Sequence, residues 1–452
     1  MALPRFASAR SSTPWQGKLT PAGWGFVGTG VVVLLAAQAM GRRDLLHLAV
    51  FLFLVPTAAW LSNRLFRPGL SVDRATNPPV VEAGQTAEVH LTVRHSGVLV
   101  GRMSMAENLP AALGTGPEFA YPGRTVGTDG ASRYRYQLRC PRRGLYTLGP
   151  VEAHSTDVFG MAEQRTRIDA GMPLVVTPAA LPLAASVLSG LRGIEGVIAT
   201  RMQANPSEDD VMTREYRHGD PMRRVHWAAT ARHGDLMVRQ EESATSPEAT
   251  IILDLRKDAF PAATGRPVPP GEWAPASDEF EWAVSAAMSV ATHLADLDYT
   301  LRLLDVDGSL ALSHSVSSPE PEAPDHSGRP GLAAVAEGLA AILPRGNDAT
   351  GHAQGHASGG FGDLLLDRVE AHGQRGPIVA ILGHTSEDDA RVLAPAAATT
   401  ERALALVISD RAGSCRGAIH ALRAAGWLAV EATPRSRVDR AWLALTEEVA
   451  AW

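Results

Sequence analysis

The run Glu248-Ala249-Thr250-Ile251-Ile252-Leu253-Asp254-Leu255-Arg256-Lys257-Asp258 contains a short continuous apolar segment, Ile251-Ile252-Leu253. Residues 301–304, 378–382, 404–408 and 428–430 form further segments of the same kind. Unbroken runs of this length suit strands buried on both faces of a parallel sheet. Helical patterns separate them. Phe280, Val284, Ala287, Met288, Ala291 and Leu294 recur at helical spacing behind a capping box, Asp278…Glu281. Val438, Trp442, Leu445 and Val449 mark a last helix. Strands alternating with helices over residues 248–452 predict a doubly wound α/β domain with its functional face at the strands' C-terminal ends. Polar insertions at residues 261–277, 313–330 and 346–362 predict mobile surface loops. His352 and His356 have no other ligands close in sequence and do not make a metal site.

Upstream the period is two. Ala87, Val89, Leu91 and Val93 alternate with Glu88, His90, Thr92 and Arg94, and Tyr134, Tyr136, Leu138 and Cys140 alternate with Arg133, Arg135, Gln137 and Arg139. Each is a half-buried strand by pattern. Asn77-Pro78-Pro79, Ala83-Gly84, Ser96-Gly97, Pro122-Gly123 and Arg143-Gly144 punctuate them at turn spacing. Residues 70–180 therefore predict a small antiparallel β-sandwich, with Cys140 a core thiol.

Residues 19–41 and 45–63 carry no charge, and each run reaches the ~20 residues that cross ~30 Å of hydrocarbon. Trp24 and Trp60 stand near run ends, where amphipathic rings favour the interface. Only Arg42-Arg43-Asp44 lies between the runs. Residues 21–63 predict two transmembrane helices in a tight hairpin, preceded by a basic tail over residues 1–20. A cleaved signal peptide ending near Ala37-Gln38-Ala39 is the bland alternative; it leaves the second run as an anchor. Arg5, Arg10, Lys18, Arg64, Arg67 and Arg74 flank the hairpin on one side, against Arg42 and Arg43 on the other. The positive-inside bias predicts a cell-membrane protein with both termini and its main body in the cytoplasm.

The composition narrows the classes. The formal net charge of −6 excludes a generally basic nucleic-acid binder. Forty of the 42 basic residues are arginine, which fits a GC-rich bacterial genome. Cys140 and Cys415 alone make neither a disulfide framework nor a four-thiolate zinc site.

The stretch joining the two predicted domains, within a linker over residues 181–247, is the most distinctive. It contains Arg214, Glu215, Tyr216, Gly219, Asp220, Pro221, Arg223, Arg224, Val225, His226, Trp227, Thr230, Ala231, Arg232, Gly234, Leu236, Val238, Arg239, Gln240 and Glu241. Asp220 reads as an N-cap with Pro221 at the first helical position. The helix predicted from residue 222 to 232 stops at Gly234, and Leu236-Met237-Val238 starts a strand. Between Glu208 and Glu242 stand six arginines and eight acidic residues, so the segment is zwitterionic. This pattern resembles the signature of the bacterial family termed domain of unknown function fifty-eight, with Val225 and Gln240 as mild departures. The segment Arg142-Arg143-Gly144-Leu145-Tyr146-Thr147-Leu148-Gly149-Pro150, with Asp157-Val158-Phe159-Gly160, also resembles that family's β region.

The resemblance implies a membrane-anchored protein with a von Willebrand A-like α/β domain. It also implies partnership with a MoxR-type AAA+ ATPase and, in some cases, a transglutaminase-like membrane protein. It implies no enzymatic activity and no cofactor. A von Willebrand A-like metal site wants Asp-x-Ser-x-Ser after the first strand. Here Asp254 is in place, Arg256 occupies the first serine position and Asp258 the second, so Asp254 and Asp258 are weak metal candidates and a polar network around Arg256 is the favoured reading. Three functions compete. The favoured one is a membrane-tethered scaffold whose cytoplasmic α/β domain binds a protein, with the 214–241 motif as interaction element. The others are an outward-facing, metal-dependent adhesion protein, and a hydrolase using Glu215, Asp220 and His226.

Overall fold

The computed structural model describes residues 16–65, 69–96, 102–122, 131–185, 213–216, 225, 227–239, 247–260, 276–346, 361, 363–370 and 376–449. The chain divides into two compact units, one drawn chiefly from residues up to Ala179 and one chiefly from Ala180 onward.

In the first unit, β1 (Gln16–Leu19) leads into α1 (Pro21–Met40) and α2 (Arg43–Leu65). The Thr20 hydroxyl accepts from Gly23 N–H at 3.2 Å, and Pro21 fills the first helical position, where a missing N–H costs nothing. Gly41, at φ 62°, ends α1. Both helices are long and apolar enough to cross a membrane. Their outward side chains are apolar too: Val32 and Leu35 are each 65% exposed, Phe51 57% and Leu54 58%.

The strands β2 (Gly69–Asn77), β3 (Val81–Glu82), β4 (Thr86–Ser96), β5 (Arg102–Glu107), β6 (Glu118–Tyr121), β7 (Ser132–Arg139), β8 (Gly144–Leu148), β9 (Val151–Thr156), β10 (Ala162–Arg167) and β11 (Met172–Thr177) follow. They form sheets ordered β1-β10-β9-β5-β6, β2-β4-β7 and β3-β11-β8. Every pairing is antiparallel except β3 with β11. Part of the predicted basic tail, residues 16–19, thus enters a sheet as its edge strand. The period-two reading of β4 holds, with Ala87, Val89, Leu91 and Val93 all buried. Ala87 and Val89 pack with Leu148, Leu174 and Val176, and Leu91 and Val93 with Met105, Val151 and Ala153. The β2-β4-β7 sheet therefore covers both of the others. Cys140 is buried in this core, and burial pushes its thiol up to about 11.

A charged network crosses the same interior. Arg74 Nε donates to Glu107 Oε1 at 2.9 Å, and its Nη atoms bond both oxygens of Asp169. Asp169 also accepts from Val151 N–H and Gly171 N–H, each at 2.8 Å. Gly149, at φ +94°, passes so close that a Cβ there would lie 2.5 Å from Arg74 Nη2. That position requires glycine.

The second unit holds a five-stranded parallel sheet. Its strands are β14 (Glu248–Leu253), β15 (Thr300–Leu304), β16 (Ile378–Leu382), β17 (Ala403–Ile408) and β18 (Leu428–Ala432), after a small antiparallel pair, β12 (Thr213–Glu215) and β13 (Met237–Arg239). All five predicted apolar runs are strands of this sheet. Its helices, after α3 (Trp227–His233), are α4 (Asp278–Asp296), α5 (Gly328–Ala340), α6 (Asp363–Glu370), α7 (Glu387–Leu393), α8 (Arg416–Ala424) and α9 (Val438–Val449). On α4 the predicted apolar positions from Phe280 to Leu294 are buried. Its cap is one residue earlier than predicted. Ser277 Oγ accepts from Phe280 N–H at 3.2 Å, while Glu281 reaches back to Ala276 N–H at 3.3 Å.

One predicted surface loop is tied down. In the 313–330 segment, His326 and Leu301 exchange backbone hydrogen bonds of 2.8 Å, so the segment lines the outer edge of β15. Arg302, buried on β15, secures it through Asp325 at 2.5 Å. The expectation of a mobile loop fails there because its polar residues satisfy the sheet's open edge.

Candidate functional site

The sheet order is β15-β14-β16-β17-β18, so the connections reverse direction between β14 and β16. In doubly wound sheets the crevice beyond the C-terminal ends of the two strands at such a reversal is where ligands bind. Asp254 follows β14 directly and Gly383 follows β16 directly.

This crevice is built around a guanidinium. Arg256 Nε donates to Asp254 Oδ1 at 3.0 Å and Nη2 to Asp254 Oδ2 at 2.8 Å, a bidentate pair. The backbone N–H of Arg256 adds a bond to Oδ1 at 3.0 Å, and Gly383 N–H one to Oδ2 at 3.2 Å. Gly383 can approach this closely because it lacks a Cβ, which would lie 2.5 Å from the Ala259 carbonyl oxygen. Arg256 Nη1 reaches Asp389 Oδ2 at 3.2 Å, and the guanidinium carbon lies 4.8 Å from the centre of the Phe361 ring. Asp389 is itself fixed by the capping box it makes with Ser386 at the start of α7. Burial works against the charge on Arg256, yet the bonds to Asp254 and the nearby Asp389 outweigh it and hold its pKa above the ordinary value.

Beside it, at the end of β15, lies Asp305. Its Oδ1 accepts from Val306 N–H at 2.7 Å and Leu255 N–H at 3.1 Å, and Oδ2 faces Arg345 Nη1 at 3.4 Å. Arg345 Nη1 also donates to His314 Nε2 at 2.9 Å. Burial first, and Arg345 second, lower the His314 pKa, so this ring is neutral at pH 7 and can accept. Burial, with like charge from Asp307 and Asp254, pushes Asp305 up to about 6, although its two backbone bonds pull the other way.

Asp305 binds its proton more tightly folded than unfolded, so its contribution to stability is complete below about pH 4 and is lost as pH rises to about 6. The stability difference between the natural chain and Asp305→Asn should shift against the natural chain by on the order of 3 kcal/mol across that window. Unfolding midpoints of the two proteins measured from pH 4 to 7.5 check this, and parallel curves would contradict it.

A divalent cation does not fit this corner. Both oxygens of Asp254 already accept from the same guanidinium, and that cation would have to share the carboxylate with a metal. Asp258 stands exposed in the turn after Arg256. Among the described residues no group of three His, Cys, Asp or Glu side chains could hold a metal.

The 214–241 motif folds as a short β pair around a helix. Arg214 and Glu215 lie on β12 and Arg239 on β13, with Arg214 opposite Val238. Tyr216 N–H donates to the Leu236 carbonyl at 2.8 Å. The predicted helix over residues 222–232 is corrected: Val225 is an isolated bridge residue, and α3 begins at Trp227. Gly234, at φ 83°, ends it as expected, its N–H bonded to the Thr230 carbonyl at 2.9 Å. Val225 and Met237 are buried, Arg232 is exposed, and Trp227 is 64% exposed. Gly219, Asp220, Pro221, Arg223, Arg224, His226 and Glu241 lie outside the described residues. His352 and His356 do as well.

Residues 212–263 match the family model described as Protein of unknown function DUF58. The resemblance thus covers the motif, β14 and the Asp254–Arg256 corner. No curated protein matches. Among solved structures, the chain is similar to the CARDB domain of the PF1109 protein in complex with di-metal ions from Pyrococcus furiosus. That match has 15% identity over 25% of this chain and 89% of that one, with a TM-score of 0.17. It is also similar to Cwp6 from Clostridium difficile, with 8% identity over 84% of this chain and 56% of that one and a TM-score of 0.13. At such TM-scores neither carries an argument about fold or function.

Proposed function

We propose that the protein is a membrane-anchored, non-enzymatic scaffold whose parallel-sheet domain, von Willebrand A-like by family resemblance, binds a protein partner. The observation that carries this reading is the occupation of the switch-point crevice by Arg256, held on Asp254 and Asp389. Where a relative of this architecture would present a cation or cofactor site, this chain presents its own bonded side chain. The exposed indole of Trp227 offers the kind of anchor that interface hot spots use. The family resemblance directs the choice of partner to a MoxR-type AAA+ ATPase, with a transglutaminase-like membrane protein as a further associate. The excess of positive charge on one side of the hairpin supports a reading with both termini and the main body in the cytoplasm and the bilayer as the other partner.

The test is co-purification from native membranes with a MoxR-type ATPase. Trp227→Ala should leave the melting temperature within about 2 °C, because surface substitutions typically change stability by less than ~0.5 kcal/mol. It should also strip the ATPase from the complex. An unchanged complex would remove Trp227 from the interface. For orientation, alkaline phosphatase fused after Trp452 should be inactive and a fluorescent protein there should glow. The reverse result would put the domain outside.

A further inference from the structure

The turn between β9 and β10 presents two apolar side chains to the surroundings: Val158 and Phe159 are each 70% exposed. This is not a loose loop. Asp157 is buried, and its carboxylate accepts from Phe159 N–H at 2.9 Å and Ala162 N–H at 2.6 Å, while Gly160 N–H donates to the Asp157 carbonyl at 3.1 Å. A side chain that bonds the backbone two residues on fixes such a turn. Its two most exposed residues are held outward by a polar one turned inward.

The turn is bolted to the start of α1. Thr20 Oγ1 donates to the Gly160 carbonyl at 2.7 Å, and Thr20 N–H donates to the Met161 carbonyl at 2.9 Å. The first turn of α1 comes so near that a Cβ on Gly23 would lie 2.4 Å from the Met161 carbonyl oxygen. The helix leaves no slack in the other direction. Twenty residues at about 1.5 Å each span about 30 Å, the thickness of the hydrocarbon layer. If α1 crosses the bilayer, Thr20 sits at the hydrocarbon boundary, and the turn bonded to Thr20 sits there with it. Trp24, 63% exposed and one helical turn from Thr20, and Trp60, near the end of α2, occupy the same end of the hairpin. Aromatic side chains concentrate at that depth in membrane proteins.

We infer that Val158 and Phe159 form a membrane-inserting tip, which dips into the headgroup–acyl boundary and seats the β-sandwich on the bilayer beside the hairpin. The inference rests on the membrane-spanning reading of α1 and α2. Its occupant is lipid because the tip is continuous with a helix whose exposed surface is already apolar. Two exposed side chains on a rigid turn add a second point of attachment, so the sandwich is held at a fixed tilt and not left free on its anchor.

The full chain reconstituted in phosphatidylethanolamine–phosphatidylglycerol vesicles provides the test. Single spin labels are attached at Phe159→Cys, Val158→Cys, Val32→Cys and Val80→Cys. The native Cys140 and Cys415 are buried and out of the label's reach. Val158→Cys keeps Phe159 in place, so loss of the larger side chain cannot by itself explain the outcome. Paramagnetic accessibility to oxygen and to a polar nickel complex reads depth. The labels at 158 and 159 should favour oxygen, at a depth between the label at 32 within α1 and the aqueous label at 80, which lies beyond the end of β2 remote from α2. Labels at 158 and 159 that favour nickel as at 80 would overturn the inference. So would labels shielded from both reagents, which would mark a protein-covered surface. A label at 32 that reads aqueous would take down the membrane reading itself, and this inference with it.

Discussion

Arg256→Ala should destabilise the parallel-sheet unit by about 3–5 kcal/mol, the range found when one partner of a buried ion pair is removed. For a domain of this size that lowers the melting midpoint of the detergent-solubilised chain by roughly 6–20 °C. The effect is large because the Asp254 side chain is 0% exposed and would lose the cation that both of its oxygens bond. Two backbone N–H groups would remain on its oxygens, too few to replace the bidentate pair. Arg256→Lys should recover only part of the loss. A lysine ammonium is a point charge and cannot grip both oxygens of Asp254 while also reaching Asp389. Pairing Arg256→Ala with Asp254→Ala should be less harmful than Arg256→Ala alone, since the stranded charge is gone. Equal losses in the single and double variants would mean the guanidinium matters through packing on Phe361 and not through Asp254.

Arg74→Ala should be at least as damaging to the β unit. It strands two carboxylates, those of Glu107 and Asp169, with side-chain exposures of 0% and 16%. Burial already raises the Glu107 pKa even with Arg74 in place, and its Oε2 is buried without a hydrogen-bond partner in the structure. Asp169 has Val151 and Gly171 N–H groups to fall back on, whereas Glu107 would protonate. A loss of about 3–5 kcal/mol or more is expected, enough to leave many single domains unfolded. Far-ultraviolet dichroism and limited proteolysis of the full chain measure it. An Arg74→Ala protein with native melting would show that the network contributes nothing net.

Much of this was legible in the residues. The five apolar runs and the alternation on β4 depend only on which face of a strand is buried, and a single sequence records that directly. Asp254 and Arg256 were legible as a polar pair because a guanidinium stood where a hydroxyl ligand would be needed. Asp305 carries the same signature, an acid at the end of an apolar run. Asp389 and Phe361 were hidden, one inside a helix cap and the other in a polar insertion, because only the folded chain brings them to the corner. The helix ahead of the first strand is shorter than its sequence predicts: Asp220 and Pro221 make a start signal, yet Val225 is taken by a β-bridge and α3 begins two residues later. The Ser277 cap shows the same limit on element ends.

The Asp254 corner carries its own cation, the Arg256 guanidinium. Calorimetric titration of the full detergent-solubilised chain with Mg²⁺ and Mn²⁺ tests it most directly. The natural chain should give a flat titration, because Arg256 occupies both oxygens of Asp254. Micromolar binding that disappears in Asp254→Ala would contradict it.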